Sequence, residues 1–213
     1  MDLGIKGKNA LVAASSKGLG RAVAEELAAE GVNLVMCSRS GDALETASQQ
    51  IRETSGVKVL AVPTDLTDAN AVEHLLDRTQ KEIGQIDILV TNTGGPPPGP
   101  FESHSSEAWS QAVHQNLYSV LNLTRGLLPA MLDSGWGRIV NIGGLSSRMP
   151  TGTSTGMRNA AIVNATKYIA NEVGGKGINA VTIHPGITVT ERQSENFEST
   201  AKSREISIEE LQK

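Results

Sequence analysis

Short apolar runs alternate with longer amphipathic segments along most of the chain, and this alternation restricts the possible folds more than any other feature. The runs are apolar on both faces, as strands are in a parallel sheet that helices cover on both sides. The segments between them have helical spacing and good helix formers. The pattern therefore predicts a single-domain α/β protein with a doubly wound parallel sheet between two layers of helices, a three-layer α/β/α arrangement.

The alternation predicts six strands and five intervening helices. The predicted strands are Asn9–Ala14, Asn33–Ser38, Lys58–Val62, Ile86–Thr91, Arg138–Ile142 and Asn179–Ile183. The predicted helices are Gly18–Glu30, Asp42–Glu53, Ala69–Ile83, Ser106–Leu132 and Thr155–Val173. Pro129 is expected to end or kink the fourth helix, because proline lacks an N–H and its ring clashes with the preceding turn.

Charge and composition argue against several classes of protein. The formal net charge of −4 does not favour binding to nucleic acid or to an anionic membrane. The single cysteine, Cys37, cannot form an intrachain disulfide, and the four histidines show no metal-binding spacing. No apolar run is long enough to span a membrane, and residues 1–8 lack the apolar core of a secretion signal. We therefore expect a cytoplasmic protein without a metal site.

The turn after the first predicted strand has the composition of a phosphate-binding site. It reads Ser15-Ser16-Lys17-Gly18-Leu19-Gly20 and leads directly into a predicted helix. A helix N-terminus presents N–H groups and a partial positive charge, and Gly18 and Gly20 allow the backbone to approach a ligand closely. An ordinary tight turn would have a similar composition, but the position after the first strand favours a dinucleotide pyrophosphate and a Rossmann fold.

Further motifs occur in a fixed order after this turn. They are Thr64-Asp65-Leu66, Thr91-Asn92-Thr93-Gly94-Gly95, Asn116 within a long helix, and His184-Pro185-Gly186. Together with the glycine turn, they resemble the short-chain dehydrogenase/reductase family over roughly residues 6–192, and the 3-oxoacyl thioester reductases within it. Ala13 and Ala14 depart from this family's pattern, since they stand where it usually has Thr-Gly.

The resemblance implies that a nicotinamide dinucleotide binds at the carboxyl ends of the strands. The implied cofactor-binding residues are Ser15, Ser16, Lys17, Gly18, Leu19, Gly20, Ser38, Arg39, Asp65, Leu66, Asn92, Gly94, Pro185, Gly186, Ile187 and Thr190. Asp65 is expected to accept a hydrogen bond from the adenine amino group, although it could instead cap the following helix. The backbone of Ile187 and the hydroxyl of Thr190 are expected to bind the nicotinamide carboxamide.

Charge after the second predicted strand favours NADP(H) over NAD(H). An acidic residue there would bind the free 2′-hydroxyl of NAD, whereas a 2′-phosphate needs cations. The sequence carries Arg39 between Ser38 and Ser40, with no carboxylate before Asp42. Arg39 and Lys17 are therefore expected to bind the phosphate, unless both are simply solvated surface cations.

The catalytic pattern of the family is incomplete in this sequence. The resemblance implies a Ser, a Tyr with a Lys four residues later, and an Asn on the long helix. Asn116 matches, but the serine position reads Gly143-Gly144, and Thr155 and Asn159 stand at the positions of the Tyr and the Lys. A phenol next to an ammonium passes a proton while hydride moves, and neither replacement can do that.

Three interpretations remain open. The chain is a degenerate dinucleotide-binding member that no longer reduces carbonyls, an oxidoreductase that acts through substitute groups, or a sensor whose cofactor signals to a partner. The substitutes would be hydroxyls of Ser146, Ser147, Ser154 or Thr155 and the cation of Arg158 or Arg148. With Asn116, we take Ser146, Ser154, Thr155 and Arg158 as the candidate catalytic residues for a small-molecule carbonyl or alcohol substrate. Arginine stays protonated, so it polarises a carbonyl but is a poor proton shuttle.

The end of the sequence differs in composition from the rest. Residues 1–190 are expected to form the nucleotide-binding domain, and the polar residues 191–213 a tail or short substrate-loop helices. The length of 213 residues is below the roughly 250 implied by the resemblance. We therefore expect the last helix and strand of the family to be missing from a truncated chain. The resemblance also implies a homodimer or homotetramer assembled through the fourth and fifth helices.

Overall fold

The structure is a computed structural model that describes residues 1–93, 101–149, 153–186, 188–190, 197–198, 201, 206–207 and 210, with the side chains of residues 153–155 left out. The strands are β1 (Asn9–Ala13), β2 (Asn33–Ser38), β3 (Val59–Pro63), β4 (Ile88–Thr91), β5 (Gly137–Ile142) and β6 (Ile178–Ile183). The helices are α1 (Gly18–Ala29), α2 (Gly41–Ser55), α3 (Ala69–Glu82), α4 (Ser106–Val113), α5 (Ser119–Ser134) and α6 (Thr153–Val173).

All six strands form one parallel sheet in the order β3-β2-β1-β4-β5-β6. The chain moves outward from β1 to β3, then crosses back to β4 on the other side of β1 and continues to β6. This order confirms the predicted doubly wound α/β fold. The reversal between β1 and β4 is the position at which open α/β sheets bind ligands, beyond the carboxyl ends of the strands.

Two apolar clusters cover the two faces of the sheet. On one face, Leu11, Leu89 and Ile139 pack with residues of α3, α5 and α6, and Leu123 and Met131 are fully buried among them. The other face packs against α1 and α2, and its main side chains are Val12, Leu34, Met36, Leu44 and Ile51. Aliphatic side chains and alanines supply nearly all of this core, as the scarcity of aromatic residues requires.

The predicted fourth helix differs from the expectation. It is interrupted by a π-helical turn over His114–Tyr118, which separates α4 from α5, whereas Pro129 lies inside α5 without ending it. Pro129 and Arg125, whose carbonyl would have accepted the missing bond, are both exposed. Water can therefore satisfy that carbonyl, and the helix continues to Ser134.

A buried chain of polar side chains joins three elements at the centre of the molecule. Thr91 Oγ1 at the end of β4 donates to Asn141 Oδ1 at 2.6 Å, and Asn141 Nδ2 in β5 donates to Thr166 Oγ1 of α6 at 2.8 Å. Thr166 in turn donates to the carbonyl of Ile162 at 2.7 Å. A fully satisfied buried network fixes relative positions more strictly than apolar contacts do. It therefore sets α6 against the carboxyl ends of β4 and β5.

The described part of the chain contains no helix that is both long enough and apolar enough to cross a membrane.

Candidate functional site

A cleft of about 650 Å³ opens at the carboxyl ends of the strands. The loops after β2 and β3 form one end of it, and the loops after β5 and β6 with the start of α6 form the other. The start of α1 lies between the two ends. A cleft of this volume and position is of the kind in which α/β sheets bind a dinucleotide and a small substrate.

The start of α1 provides the surface on which a pyrophosphate would bind. Lys17 is the N-cap residue, but its side chain makes no capping hydrogen bond, and Gly18 has φ +59°. Ala14 also lies in the left-handed region, at φ +50°, although it has a Cβ. A side chain is strained in this conformation, so the turn shape that glycine normally provides is kept at an energetic cost.

Two residues of the turn act within the protein rather than at the cleft. Ser15 is fully buried, its Oγ donates to the carbonyl of Val12 at 2.9 Å, and its backbone N–H donates to Cys37. Gly20 is packed against the turn, because a Cβ added there would lie 2.3 Å from the carbonyl oxygen of Ala14. Both residues hold the turn in shape, and neither lines the cleft.

The end of the cleft near β2 and β3 carries one cation and one carboxylate. Asp65 Oδ1 accepts hydrogen bonds from Thr67 N at 3.0 Å and Thr67 Oγ1 at 2.8 Å. The backbone bond is the main cause that holds the pKa of Asp65 below its ordinary value, and the positive charge of Arg39 adds to it. Asp68, not Asp65, caps α3 by accepting from Asn70 and Ala71. Asp65 is thus not needed as a helix cap.

Asn116 lies in the π-helical turn and is 1% exposed. Its Nδ2 donates to Oγ1 of Thr93, just after β4. Ser119, one turn further on, donates to the carbonyl of Leu66 at 3.1 Å and so ties α5 to the loop after β3. The π turn therefore directs an amide into the middle of the cleft and holds it there by a side-chain hydrogen bond.

The other end of the cleft brings together a hydroxyl and an amide from distant positions. Asn159 of α6 is buried, and its Nδ2 donates to Ser146 Oγ at 2.7 Å. Gly144 leaves room for this pair, since a Cβ there would lie 2.7 Å from Asn159 Nδ2. The carbonyl of Gly144 is bonded to His184 Nδ1 at 3.0 Å, which ties the loop after β5 to the end of β6.

Arg158 is next to Asn159 and also lines this end of the cleft. Its side chain is only 8% exposed, which is unusual for a charged residue. Arg148, the other candidate cation, is exposed and does not line the cleft.

Burial raises the pKa of the Cys37 thiol to about 12, so this cysteine cannot serve as a nucleophile at neutral pH.

The structure brings most of the predicted site residues to this one cleft. Those that line it are Ser16, Lys17, Gly18, Leu19, Ser38, Arg39, Asp65, Leu66, Asn92, Asn116, Ser146, Arg158, Pro185 and Thr190. Ser15, Gly20 and Gly186 do not line it. Gly94, Ile187 and the side chains of Ser154 and Thr155 lie outside the described residues, as does nearly all of the tail from residue 191.

Several residues of the cleft were not predicted as site residues. Thr93, Gln115, Ser119 and Asn159 all line it. Ser119 lies three residues after Asn116, so helical spacing could have indicated it, whereas Gln115 directly precedes Asn116 and has no such signal. Asn159 was recognised as standing at the lysine position of the family, but its pairing with Ser146 depends on a contact across 13 residues.

Neither of the two tyrosines of the chain lines the cleft. Tyr118 is 48% exposed and stacks on His114, and Tyr168 is 69% exposed on α6. A phenol is therefore not available in the cleft. The described residues also contain no group of three or more His, Cys, Asp or Glu side chains that could hold a metal ion.

Comparisons with known proteins agree with the geometry. Residues 8–201 match the family model described as short chain dehydrogenase. The 3-oxoacyl-(acyl-carrier-protein) reductase FabG of Haemophilus influenzae is 33% identical over 88% of this chain and 76% of that protein. The D-beta-hydroxybutyrate dehydrogenase of Cupriavidus necator is 30% identical over 98% and 81%. A solved structure of L-sorbose reductase from Gluconobacter frateurii, complexed with NADPH and L-sorbose, superimposes with a TM-score of 0.91 at 29% identity, over 95% of this chain and 78% of that one.

Proposed function

The chain belongs to the short-chain dehydrogenase family, and from this premise we propose that it is an NADP(H)-dependent oxidoreductase that interconverts a small carbonyl compound and its alcohol. The observation that carries the proposal is the cleft at the strand ends, which is lined both by the glycine turn at the start of α1 and by a cluster of hydrogen-bonding groups. Similar proteins named as reductases and dehydrogenases support it. The L-sorbose reductase structure that contains NADPH supports the choice of cofactor.

The described residues fit a bound dinucleotide. The start of α1 and Lys17 would hold the pyrophosphate, and Arg39 with Ser38 and Ser40 would hold a 2′-phosphate at the outer end. Arg39 also lies close enough to Asp65 to lower its pKa. A phosphate monoester, which carries up to two negative charges, competes well for this exposed cation, because arginine binds phosphate in a bidentate geometry.

The groups at the other end of the cleft would bind the reacting carbonyl. When bound, the nicotinamide supplies the hydride for reduction or accepts it for oxidation. Asn159 donates to Ser146, which leaves the Ser146 hydroxyl hydrogen free to point at a substrate oxygen. We therefore assign Ser146 to the carbonyl oxygen, Asn159 to the orientation of Ser146, and Asn116 to the wall of the site. Arg158 provides positive charge at this end.

The proton of the reaction must come from a source other than a phenol. Reduction adds one hydride to the carbonyl carbon and one proton to its oxygen, and the hydroxyl of Ser146 and the guanidinium of Arg158 are both poor acids at neutral pH. We propose that water in the open cleft delivers this proton while Ser146 holds the oxygen. A reaction that relies on water should be slow compared with one that uses a tuned general acid, which contributes typically 10²- to 10⁴-fold.

The names of the similar proteins suggest a substrate class. A 3-oxoacyl group has its carbonyl at C3, and β-hydroxybutyrate has its hydroxyl at the same carbon. We therefore propose that the substrate is a 3-oxo or 3-hydroxy compound, with C3 as the reacting carbon and a carboxyl-derived group at C1.

One observation favours a second candidate function. Since both tyrosines lie outside the cleft, the chain also fits a dinucleotide-binding protein without catalytic activity, acting as a sensor or as part of an assembly. Such a protein would bind NADPH with ordinary affinity and would not turn over any carbonyl compound.

Titration with NADPH and NADH by calorimetry, followed by NADPH oxidation assays against a carbonyl panel, separates these functions. Binding with turnover supports the oxidoreductase, and binding without turnover supports the second candidate. Absence of binding by either nucleotide refutes both.

The variant Arg39→Ala tests the preference for NADP(H). It should weaken NADPH binding by about 10- to 100-fold, since a charged hydrogen-bonded pair is lost, and NADH binding by less than about threefold. Arg78→Ala is the control, because Arg78 pairs with Glu82 on the surface of α3 and does not line the cleft. Equal losses for the two nucleotides in Arg39→Ala would contradict the assigned role.

A further inference from the structure

Arg158 is a buried cation inside the substrate end of the cleft. It is 8% exposed, whereas charged side chains are rarely buried unless an anion or several acceptors compensate them. Its guanidinium carries five N–H donors, more than one acceptor can use. The side chain can therefore hold a pair of ligand oxygens in addition to its contacts within the protein.

The charges of the described cleft residues are separated along its length. Lys17 and Arg39 lie toward the expected phosphates, and the one carboxylate of the lining, Asp65, is at the β3 end, where it accepts hydrogen bonds from Thr67. At the opposite end, the described lining includes the cationic side chain of Arg158. A guanidinium at that end can offer its donors to an anionic substrate group.

Neutral and charged donors lie next to each other on α6. Asn159 orients the Ser146 hydroxyl at 2.7 Å, and this neutral pair suits a carbonyl or alcohol oxygen. Arg158 precedes Asn159 in the helix, and its planar fork suits the two oxygens of a carboxylate. A compound with a carbonyl at C3 and a carboxylate at C1 carries one group of each kind, separated by a single carbon atom.

We propose that Arg158 binds the C1 carboxylate of the substrate, so that the protein acts on free 3-oxo and 3-hydroxy acids rather than on their esters or thioesters. This inference rests on the proposed function, because it names the substrate class of the same site. Ester or thioester substrates would place a neutral group against a buried guanidinium and would form no charge-assisted pair with it.

The test compares 3-oxobutanoate with its methyl ester, a pair that shares the C3 carbonyl and differs at C1 in the charge and in one added methyl group. The wild-type protein with NADPH should show a kcat/KM at least about 10-fold higher for the acid. Arg158→Met, which keeps length and apolar volume, should lower kcat/KM for the acid by about 10- to 100-fold and for the ester by less than about threefold. Arg158→Lys should recover part of the loss, since it restores the charge but not the bidentate geometry.

Two controls identify effects that do not come from the carboxylate. Arg78→Met makes the same change of net charge outside the cleft and should leave both substrates unaffected. The Kd for NADPH of Arg158→Met, which should stay within about threefold of the wild type, reports on the integrity of the fold.

Several results would overturn the inference. A wild-type preference for the ester would show that the site does not select a carboxylate at C1. Equal losses for acid and ester in Arg158→Met would show that Arg158 acts on the carbonyl common to both compounds. In either case the proposed oxidoreductase function would stand. If no carbonyl compound is turned over, the proposed function fails, and calorimetric titration of the NADP-saturated protein with 3-oxobutanoate and its ester decides the inference. Binding of the acid alone, lost in Arg158→Met, supports it; no binding of the acid refutes it.

Discussion

The left-handed backbone of Ala14 makes a specific prediction for the replacement Ala14→Gly. At φ +50° an alanine is destabilised by roughly 1–2 kcal/mol, and glycine removes that strain. Against this gain stand about 0.4–1 kcal/mol for the larger entropy of glycine in the unfolded chain and part of the roughly 0.8 kcal/mol that a buried methyl contributes. Ala14 is only half-buried, so the opposing effects nearly cancel. We expect a change in the free energy of unfolding between zero and about 1 kcal/mol in the stabilising direction.

The adjacent residue provides a matched control. Ala13 ends β1, is fully buried and does not have a positive φ, so Ala13→Gly gains nothing from relief of strain. It loses a buried methyl and adds backbone entropy to the unfolded chain, at a combined cost of about 1.5 kcal/mol. Alanine-to-glycine replacements at these two adjacent positions should therefore change the free energy of unfolding in opposite directions or by clearly different amounts.

Thermal and urea unfolding measure this difference. For a chain of this length, 1 kcal/mol corresponds to roughly 2–4 °C in Tm. Ala13→Gly should lower Tm by about 3–6 °C, and Ala14→Gly should leave it unchanged or raise it by up to about 4 °C. If the two variants lose the same stability, Ala14 is not strained, and the turn does not have the geometry described above.

Three other predictions concern the buried network, an ionisable group and the assembly. Asn141→Leu removes the acceptor of the buried Thr91 hydroxyl and should lower the free energy of unfolding, measured in urea, by about 2–3 kcal/mol. The double variant with Thr91→Val should recover part of that loss, and an absence of recovery would contradict the network. The pKa of Asp65 in the folded protein lies below its ordinary value of 3.8. The hydrogen bonds from Thr67 therefore stabilise the fold above about pH 4, and this stabilisation is lost as pH falls through the folded pKa. NMR titration of Asp65 should give a midpoint below 3.8, and Thr67→Val should raise that midpoint. The expected dimer or tetramer should appear in sedimentation at micromolar concentration and should dissociate in Tyr168→Glu, since Tyr168 is 69% exposed on α6; a wild-type monomer would refute the assembly.

Local sequence patterns were sufficient to predict the fold. The apolar runs that become β1–β6 were predicted within about two residues at each end, because a strand buried on both faces must be apolar throughout, whatever it packs against. The order of strands and helices then allows few topologies, since parallel crossovers are short and right-handed. The fourth helix was wrongly predicted as one uninterrupted helix up to Pro129. A π turn interrupts it around Asn116, because that turn depends on contacts with the loops after β3 and β4, and the helix continues past Pro129.

The sequence by itself therefore determined the architecture, the edge of the sheet that carries the cleft, and the residue types available there. The tertiary structure decided which side chains face that cleft. Ser15 turns inward to Val12 although its neighbours in the turn line the cleft, and Asn159 meets Ser146 although 13 residues separate them. The physical reason is that periodicity depends on neighbours within one or two turns, whereas the direction and burial of a side chain such as Arg158 depend on how separate elements pack.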